Sequence, residues 1–497
     1  MTPDIPDASS LDPTDWPAFR RLAHRMIDDV IDGMEAIRDR PAWQPVPKVV
    51  RQSFEEPLPR TARPLPEVYE QVLQTILPYP RGNVHPRYWG WVNGSGLPVA
   101  MLAEFLAAAM NSSVGAFETA PTMVEAQVLR WLKDMLDWPA DSSAVLTSGC
   151  SMSNLIALTV ARNARGDDVR RKGVAGSGRP TFYGSSETHS SIQKAIEILG
   201  LGAASFRRVP VDDERRIRVD VLAEMIAGDR AAGLKPVCVI GNAGTVLTGA
   251  VDPLDRVADF CAAEDLWFHV DGAFGALAWI VPGLKPLLAG LERADSLAFD
   301  LHKWMYLPYA VACVFVRDDA AHHAAFAMAP SYLSRLPAGP ASYPVSFPDR
   351  SIELTRPFRA LKVWMALQTH GLDAFAAAIA RNVAQARRFA AGVARSPELE
   401  LSATGPLNVV CFRFRPASAA LTPEQEDDLN RNMLMQLQLS GEAVPSHGLV
   451  DGRFVLRIAI TNHRTTDADL DLLLNRCGEI GRTLMAGASA GGDRRTA

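Results

Sequence analysis

No Cys-x-x-Cys pair occurs anywhere in the 497 residues. The six cysteines, Cys150, Cys238, Cys261, Cys313, Cys411 and Cys477, are widely scattered. That argues against a zinc knuckle and a disulfide framework, and no metal is expected. Most of them sit among apolar neighbours, as in Val237-Cys238-Val239-Ile240, and read as reduced core thiols. Basic residues are not in excess. The 51 Lys+Arg against 56 Asp+Glu leave a net charge of -5, which invites neither nucleic acid nor an anionic membrane. Gly and Pro, at 35 each, are too few for a collagenous or low-complexity chain. The stretch Met1–Asp15 is acidic and Pro-rich and lacks the basic and apolar regions of a secretory signal. Leu97–Met110, the most apolar run near the front, is broken by Glu104 and too short to span a bilayer. No Gly-x-Ser-x-Gly elbow surrounds Ser148 or Ser151, which disfavours a hydrolase built from either serine with His189 and Asp271. No Gly-x-Gly-x-x-Gly follows a strand and opens a helix, which disfavours a dinucleotide-binding oxidoreductase. The expectation left standing is a cytoplasmic small-molecule protein of two or three packed domains.

Helical spacing runs from Phe19 to Arg38, where Phe19, Leu22, Met26, Val30 and Met34 recur at three- and four-residue steps. Leu65–Leu77, Pro98–Ala109 and Pro121–Leu136 read as further helices, the last two with Pro near their starts. From about residue 144 short apolar runs alternate with helical stretches: Ala144–Leu146 then Asn154–Arg165, Thr181–Tyr183 then Ser190–Leu199, Val237–Ile240 then Leu254–Ala263. Leu266–Val270, Ser296–Phe299 and Val311–Val316 follow. This alternation predicts an α/β domain with a mostly parallel central sheet. Phe358–His370 predicts a helix ending at Gly371, and strands at Val409–Phe414 and Phe454–Ile460 alternate with helices to about Leu484. A loose tail is expected from Ala486. The expected organisation is an N-terminal helical arm over 1–97 that wraps a partner subunit, a large cofactor-binding domain over 98–372, and a small C-terminal α+β domain over 373–497.

Four segments carry chemistry. Leu266-Trp-Phe-His-Val-Asp271 is a buried strand that delivers an acid at its carboxyl end, the edge where α/β sheets bind ligands. Ser296-Leu-Ala-Phe-Asp300-Leu-His302-Lys303-Trp304 is a strand ending in Asp-x-His-Lys. The neighbours His302, Trp304 and Tyr306 suggest a partly buried amine driven toward its neutral, nucleophilic form. Thr147-Ser148-Gly149-Cys150-Ser151 follows a strand and opens a helix, as a phosphate cradle would. His189, between a strand and a helix, could stack on a ring. Each segment alone has a simpler reading: a cap, a solvated lysine, an ordinary helix start, a surface histidine. All four at successive strand ends match the needs of pyridoxal 5'-phosphate: a lysine for the Schiff base, an acid for the pyridine nitrogen, a phosphate cradle and a ring partner.

With these motifs the sequence resembles the group II pyridoxal-phosphate-dependent amino-acid decarboxylases, which include aromatic-L-amino-acid and glutamate decarboxylases. The matching segments are His85-Pro-Arg-Tyr, Pro121 with Glu125, Thr147-Ser-Gly-Cys-Ser with Asn154, His189-Ser-Ser, His269-Val-Asp271-Gly-Ala273, Asp300-Leu-His302-Lys303-Trp304 and Phe454-Val-Leu-Arg457. They run in family order from about residue 20 to 480. The resemblance implies a fold-type I enzyme, a homodimer and pyridoxal 5'-phosphate held covalently on Lys303. It implies Asp271 at the ring nitrogen, His189 stacked on the ring and Ala273 against its face. Gly149, Cys150 and Ser151 would form the cradle, with Asp300, His302 and Thr245 in the same pocket. His85, Trp91, Asn93 and Arg457 would stand on the substrate side. Tyr332, before a Pro- and Gly-rich stretch to Pro348, matches a loop tyrosine that helps return a proton to Cα across the dimer.

The implied reaction is loss of CO2 from an L-amino acid by way of an external aldimine and a quinonoid. Val92-Asn93-Gly94 stands where aromatic decarboxylases carry a Phe-Pro-Thr-like run, and Gly115 where they carry Phe. Trp89 and Trp91 could still supply an apolar wall, and Arg87 is the one cation seen in the first of these segments. Those features favour an aromatic or other apolar substrate over glutamate. The nearest rival is an aldehyde synthase, which decarboxylates and then oxidatively deaminates with O2. Its plant members often carry Phe at the loop position, so Tyr332 favours simple decarboxylation.

Overall fold

The structure, a computed structural model, describes residues 11–166, 168–174, 178–328, 337–416 and 421–492. Seven strands build the large sheet: β1 (Ser143–Thr147), β2 (Pro180–Ser185), β3 (Phe206–Val209), β4 (Lys235–Asn242), β5 (Trp267–Asp271), β6 (Ser296–Asp300) and β7 (Ala312–Val316). Their order is β1-β7-β6-β5-β4-β2-β3. The inner strands are buried on both faces, which their Val-, Ile- and Phe-rich runs foretell. β7 is antiparallel to both β1 and β6, and every other pair is parallel. The segment between β6 and β7 is too short for a full crossover, so the chain returns antiparallel. β1 therefore runs parallel to β6, and the carboxyl ends of β1, β2, β4, β5 and β6 share one edge. Thr147, Ser185, Asn242, Asp271 and Asp300 are the residues at those ends.

A second sheet holds β8 (Leu399–Thr404), β9 (Val409–Phe414), β10 (Ser446–Val450) and β11 (Arg453–Ala459), antiparallel in the order β10-β11-β9-β8. The helix Ala360–Arg395 joins the two units. Its backbone leaves the helical region at Gly371 (φ 71°, ψ 160°), where the sequence predicts a stop. Phe375, Ile379 and Val383 pack in the larger core, and Ala386, Phe389 and Val393 in the smaller. The expected loose tail from Ala486 is corrected over 486–492, where the last helix, Asp467–Gly492, continues; residues 493–497 lie outside the described residues. The alanines at 486, 488 and 490 are strong helix formers. β3, β8, β10 and the helices Lys48–Ser53 and Val219–Ala231 escape the sequence reading. β3, Phe-Arg-Arg-Val, is an edge strand with little apolar signal.

Two long-range contacts set the frame of the edge where the strand ends meet. Trp89 is buried in the smaller core, where its Nε1 donates to Thr465 Oγ1 at 3.2 Å. It pins the segment after His85 to the smaller unit, since Trp89 N donates to Val444 O and Ala459 N to Trp89 O. Arg356 and Glu125 form an ion pair in which both side chains are almost wholly inaccessible. Arg356 also donates to Val114 O (3.2 Å) and Leu146 O (3.0 Å), which ties the end of β1 to the segment before Gly115. Removing one partner strands the other as an unpaired buried charge, a loss of about 3–5 kcal/mol. Glu125→Ala is therefore expected to lower the urea midpoint sharply. The double variant with Arg356→Met should recover part of it. Unfolding followed by circular dichroism measures both.

Candidate active site

The shared strand edge opens into a cavity of about 510 Å³. Its lining includes Ser148, Gly149, Cys150 and Ser151, His189 and Thr245, and Asp271, Ala273, Asp300, His302 and Lys303.

Lys303 Nζ lies 2.8 Å from Asp300 Oδ2, and its side chain is 22% exposed. The structure corrects the expectation of a neutral amine. Burial pushes the ammonium down, but the carboxylate of Asp300, with Asp271 beyond it, outweighs burial and holds the proton more tightly than usual. The aromatic neighbours do not surround the amine. Trp304 Nε1 and Tyr306 Oη both donate to Asn382 Oδ1, on the helix that joins the cores. Asp300 Oδ1 also accepts from Cys150 N at 2.8 Å, at the first residue of the helix Cys150–Arg165. His302 is buried, with Nδ1 2.8 Å from Val311 O and Nε2 3.7 Å from Asp300 Oδ1. Burial lowers its pKa and favours the neutral ring. Burial likewise pushes the Cys150 thiol well up, so it is no thiolate.

Asp271 is fixed by a relay that the sequence hints at only through Asn154. Asn154 Nδ2 donates to Asp271 Oδ2 (3.0 Å), and Ala273 N donates to Asp271 Oδ1 (3.1 Å). Asn154 Oδ1 must then accept from His269 Nε2 at 3.0 Å. This assigns the proton of His269 to Nε2 and makes Nδ1 the acceptor from Ser296 Oγ at 2.9 Å. Trp267 Nε1 completes the chain by donating to the same Ser296 oxygen at 2.8 Å. His269 is fully buried, and desolvation lowers its pKa to about 4, so it stays neutral within this relay.

His189 caps the helix Ser190–Ile198, accepting from Ser191 N at Nδ1 (3.1 Å). Its loop is held by Asn242, whose Nδ2 donates to Ser185 Oγ, Thr188 Oγ1 and Asp252 Oδ2. The sequence reading missed Asn242, because its partners lie 54 and 57 residues away on another strand end. Thr245 is buried, and its hydroxyl accepts from Ala250 N at 3.1 Å within its own turn.

The substrate-side residues divide. Trp91 and Asn93 line the cavity, whereas His85 and Arg457 stand behind its wall. Arg457 is 3% exposed and donates to Trp91 O (3.0 Å) and Leu247 O (2.9 Å). It thereby holds Trp91 at a left-handed φ of 55°, a conformation disfavoured for a bulky residue. His85 accepts from Arg87 N at Nδ1, 3.0 Å, and burial lowers its pKa to about 4. A Cβ on Gly94 would lie 2.0 Å from His302 O, so only glycine lets this wall rest on the backbone that carries Lys303. Tyr309, another residue missed from the sequence, donates through Oη to Asn93 Oδ1 (2.8 Å) and packs its ring 4.6 Å from that of His302. Arg87 is not in the wall. The cation that is there, besides Lys303, is Arg81, lying 5.0 Å over the Trp91 ring. Tyr332 lies outside the described residues.

A family model described as the pyridoxal-dependent decarboxylase conserved domain matches residues 47–415. The chain is 32% identical to an aromatic-L-amino-acid decarboxylase of Bacillus atrophaeus, over 91% of this chain and 93% of that protein. It is 29% identical to tryptophan decarboxylase 2 of Oryza sativa subsp. japonica, over 95% and 96%. The crystal structure of Oryza sativa TDC with PLP and tryptamine superposes with a TM-score of 0.88 at 27% identity, covering 96% of this chain and all of that one. The two-sheet architecture is thus that of the fold-type I enzymes, and the lysine, acid and helix start at one sheet edge are what their cofactor requires. The chain belongs to the group II pyridoxal-phosphate-dependent amino-acid decarboxylases, carboxy-lyases whose cofactor is pyridoxal 5'-phosphate.

Proposed function

We propose that the protein removes CO2 from an L-amino acid with an aromatic or other apolar side chain, releases the amine, and does so as a cytoplasmic homodimer. The observation that carries this reading is the placement of Lys303 and Asp271. Asp271 ends β5 and Lys303 follows the end of the adjacent parallel strand β6 by three residues, in one cavity that Trp91 and Tyr309 also line. The residues fit the cofactor by their donor set. One amine, one immobilised carboxylate and one helix start with exposed Ser148 and Ser151 face the same space. Pyridoxal 5'-phosphate supplies there an electron sink for the pair left on Cα when CO2 departs.

The protein's own residues do the rest. Lys303 carries the amine that bonds the cofactor. Asp271 holds a proton on the ring nitrogen by the attraction of opposite charges. His189, anchored through Nδ1, keeps its ring and Nε2 for the cofactor face and for proton transfer near Cα. Trp91 and Tyr309 cover the side chain of the substrate. The dimer is supported by an apolar face on the helix Pro98–Met110, where Leu102, Phe105, Leu106 and Met110 are each at least two-fifths exposed. The six unpaired cysteines accord with a reducing compartment.

A panel of L-amino acids assayed together for CO2, amine, aldehyde and O2 uptake tests the reading. Tryptophan, tyrosine or phenylalanine should give amine and CO2 in equal amounts without O2 uptake. Turnover of glutamate alone, or stoichiometric aldehyde, would overturn it. Trp91→Ala should cost the aromatic substrates about 10–100-fold in kcat/KM, the worth of one buried aromatic contact of roughly 1.5–3 kcal/mol.

A further inference from the structure

We propose that Asp300 is a positioning residue and the resident anion of the cofactor cradle: it fixes Lys303 in place and opposes the phosphate that binds beside it. The inference rests on the reading of this cavity as the cofactor site. It starts from the cap of the helix Cys150–Arg165. Gly149, its N-cap, has no side chain to satisfy the first N–H groups. Met152 N and Ser153 N both donate to Gly149 O, and Cys150 N donates to Asp300 Oδ1 at 2.8 Å. A carboxylate from another strand end thus caps the helix on which the sequence places the phosphate. It is 2% exposed, and its other oxygen holds Lys303 Nζ at 2.8 Å. The nearby His302 is neutral, so Lys303 is the one cation facing this carboxylate at close range.

Two consequences follow from this geometry. Cys150 N is already engaged by Asp300, so a phosphate at this helix start would draw on Ser148, Gly149 and Ser151. It would bind beside a buried negative charge. The Lys303 ammonium is the counter-charge of Asp300, and bonding the cofactor would use that amine and leave the carboxylate less compensated. Asp300 therefore gives the site an immobile lysine at the expense of phosphate affinity. Repulsion of this kind between close charges in a partly screened site is worth a factor of about 10–100.

The test uses the full-length chain stripped of cofactor, as wild type and as Asp300→Asn and Asp300→Ser. Both replacements keep an oxygen for Cys150 N and lose the charge. Inorganic phosphate binding is measured by calorimetry, and pyridoxal 5'-phosphate and pyridoxal by absorbance over a pH series. The expected result is phosphate and pyridoxal 5'-phosphate binding at least threefold tighter in a folded variant, with a smaller gain for pyridoxal, which meets the freer amine but lacks the phosphate. The pH at which the lysine-bound band forms should also move down, because the amine has lost its partner. Phosphate binding that is weaker, unchanged or less than threefold tighter in the folded variants overturns the proposal. A merely structural cap would weaken all three ligands alike. Failure of the underlying reading looks different: wild-type protein would then bind pyridoxal 5'-phosphate no better than pyridoxal, and Lys303→Ala would keep the band.

Discussion

Lys303→Ala should abolish the absorbance of the lysine-bound cofactor and lower kcat/KM by more than about 10³-fold, the cost of losing a covalently acting group held at bonding distance. The structure makes the prediction specific to this lysine. Two other lysines are deeply buried, but both are committed elsewhere. Lys133 Nζ donates to Ala140 O and Ser142 O, and Lys362 Nζ pairs with Glu104 and reaches Pro308 O. Neither lines the cavity, and Lys303 is the one lysine among the described residues of its wall. Because Asp300 holds the Lys303 proton, the amine must pass that proton on before it can bond an aldehyde. Formation of the band should therefore slow as the pH falls. The variant is expected to retain the fold at some loss of stability, since Asp300 loses its counter-charge but keeps the hydrogen bond from Cys150 N. Circular dichroism should match wild type while cofactor titration leaves the spectrum of free pyridoxal 5'-phosphate. A band that survives the substitution would assign the bond to another residue.

How far the sequence reaches depends on whether a residue's partners are near it in the chain. His269-Val-Asp271 and Asp300-Leu-His302-Lys303 each carry their chemistry within one strand end, and both are legible. So is the alternation that predicts the parallel sheet, because strands buried on both faces need unbroken apolar runs. Partners that arrive from elsewhere are not legible. Cys150 N meets Asp300 across 150 residues, and Asn93 meets Tyr309 across 216. The charge of Lys303 is misread for the same reason. Its chain neighbours Trp304 and Tyr306 suggest an apolar sleeve, but a short helical turn, Leu301–Trp304, sends them toward Asn382 and leaves the amine with Asp300. Arg81 is missed because it precedes the recognisable segment and joins the wall only by lying on Trp91. Arg457 shows the opposite error. The motif that contains it is recognised, but its side chain acts one layer back, on the carbonyl of Trp91.

Asp271→Asn should leave the cofactor bound and cut kcat by roughly 10²–10³-fold, equivalent to about 3–4 kcal/mol, as for a buried charge partner removed. The structure explains why an amide cannot substitute. Both carboxylate oxygens of Asp271 already accept, Oδ1 from Ala273 N and Oδ2 from Asn154 Nδ2. An asparagine must turn its NH2 toward one of these donors or toward the ring nitrogen, and either choice sets donor against donor. The relay behind it cannot adapt. Asn154 is held between Asp271 and His269 Nε2, and Ser296 between His269 Nδ1 and Trp267. Asn154→Ala should accordingly give a milder loss, about tenfold, because the carboxylate remains while its alignment slackens. The ranking is the test. Steady-state rates and cofactor dissociation constants for both variants should show Asp271→Asn falling mainly in kcat, with Asn154→Ala between it and wild type. If Asp271→Asn kept more than a tenth of the wild-type kcat, the ring nitrogen would not depend on this carboxylate, and the relay through Asn154, His269 and Ser296 would be no more than packing.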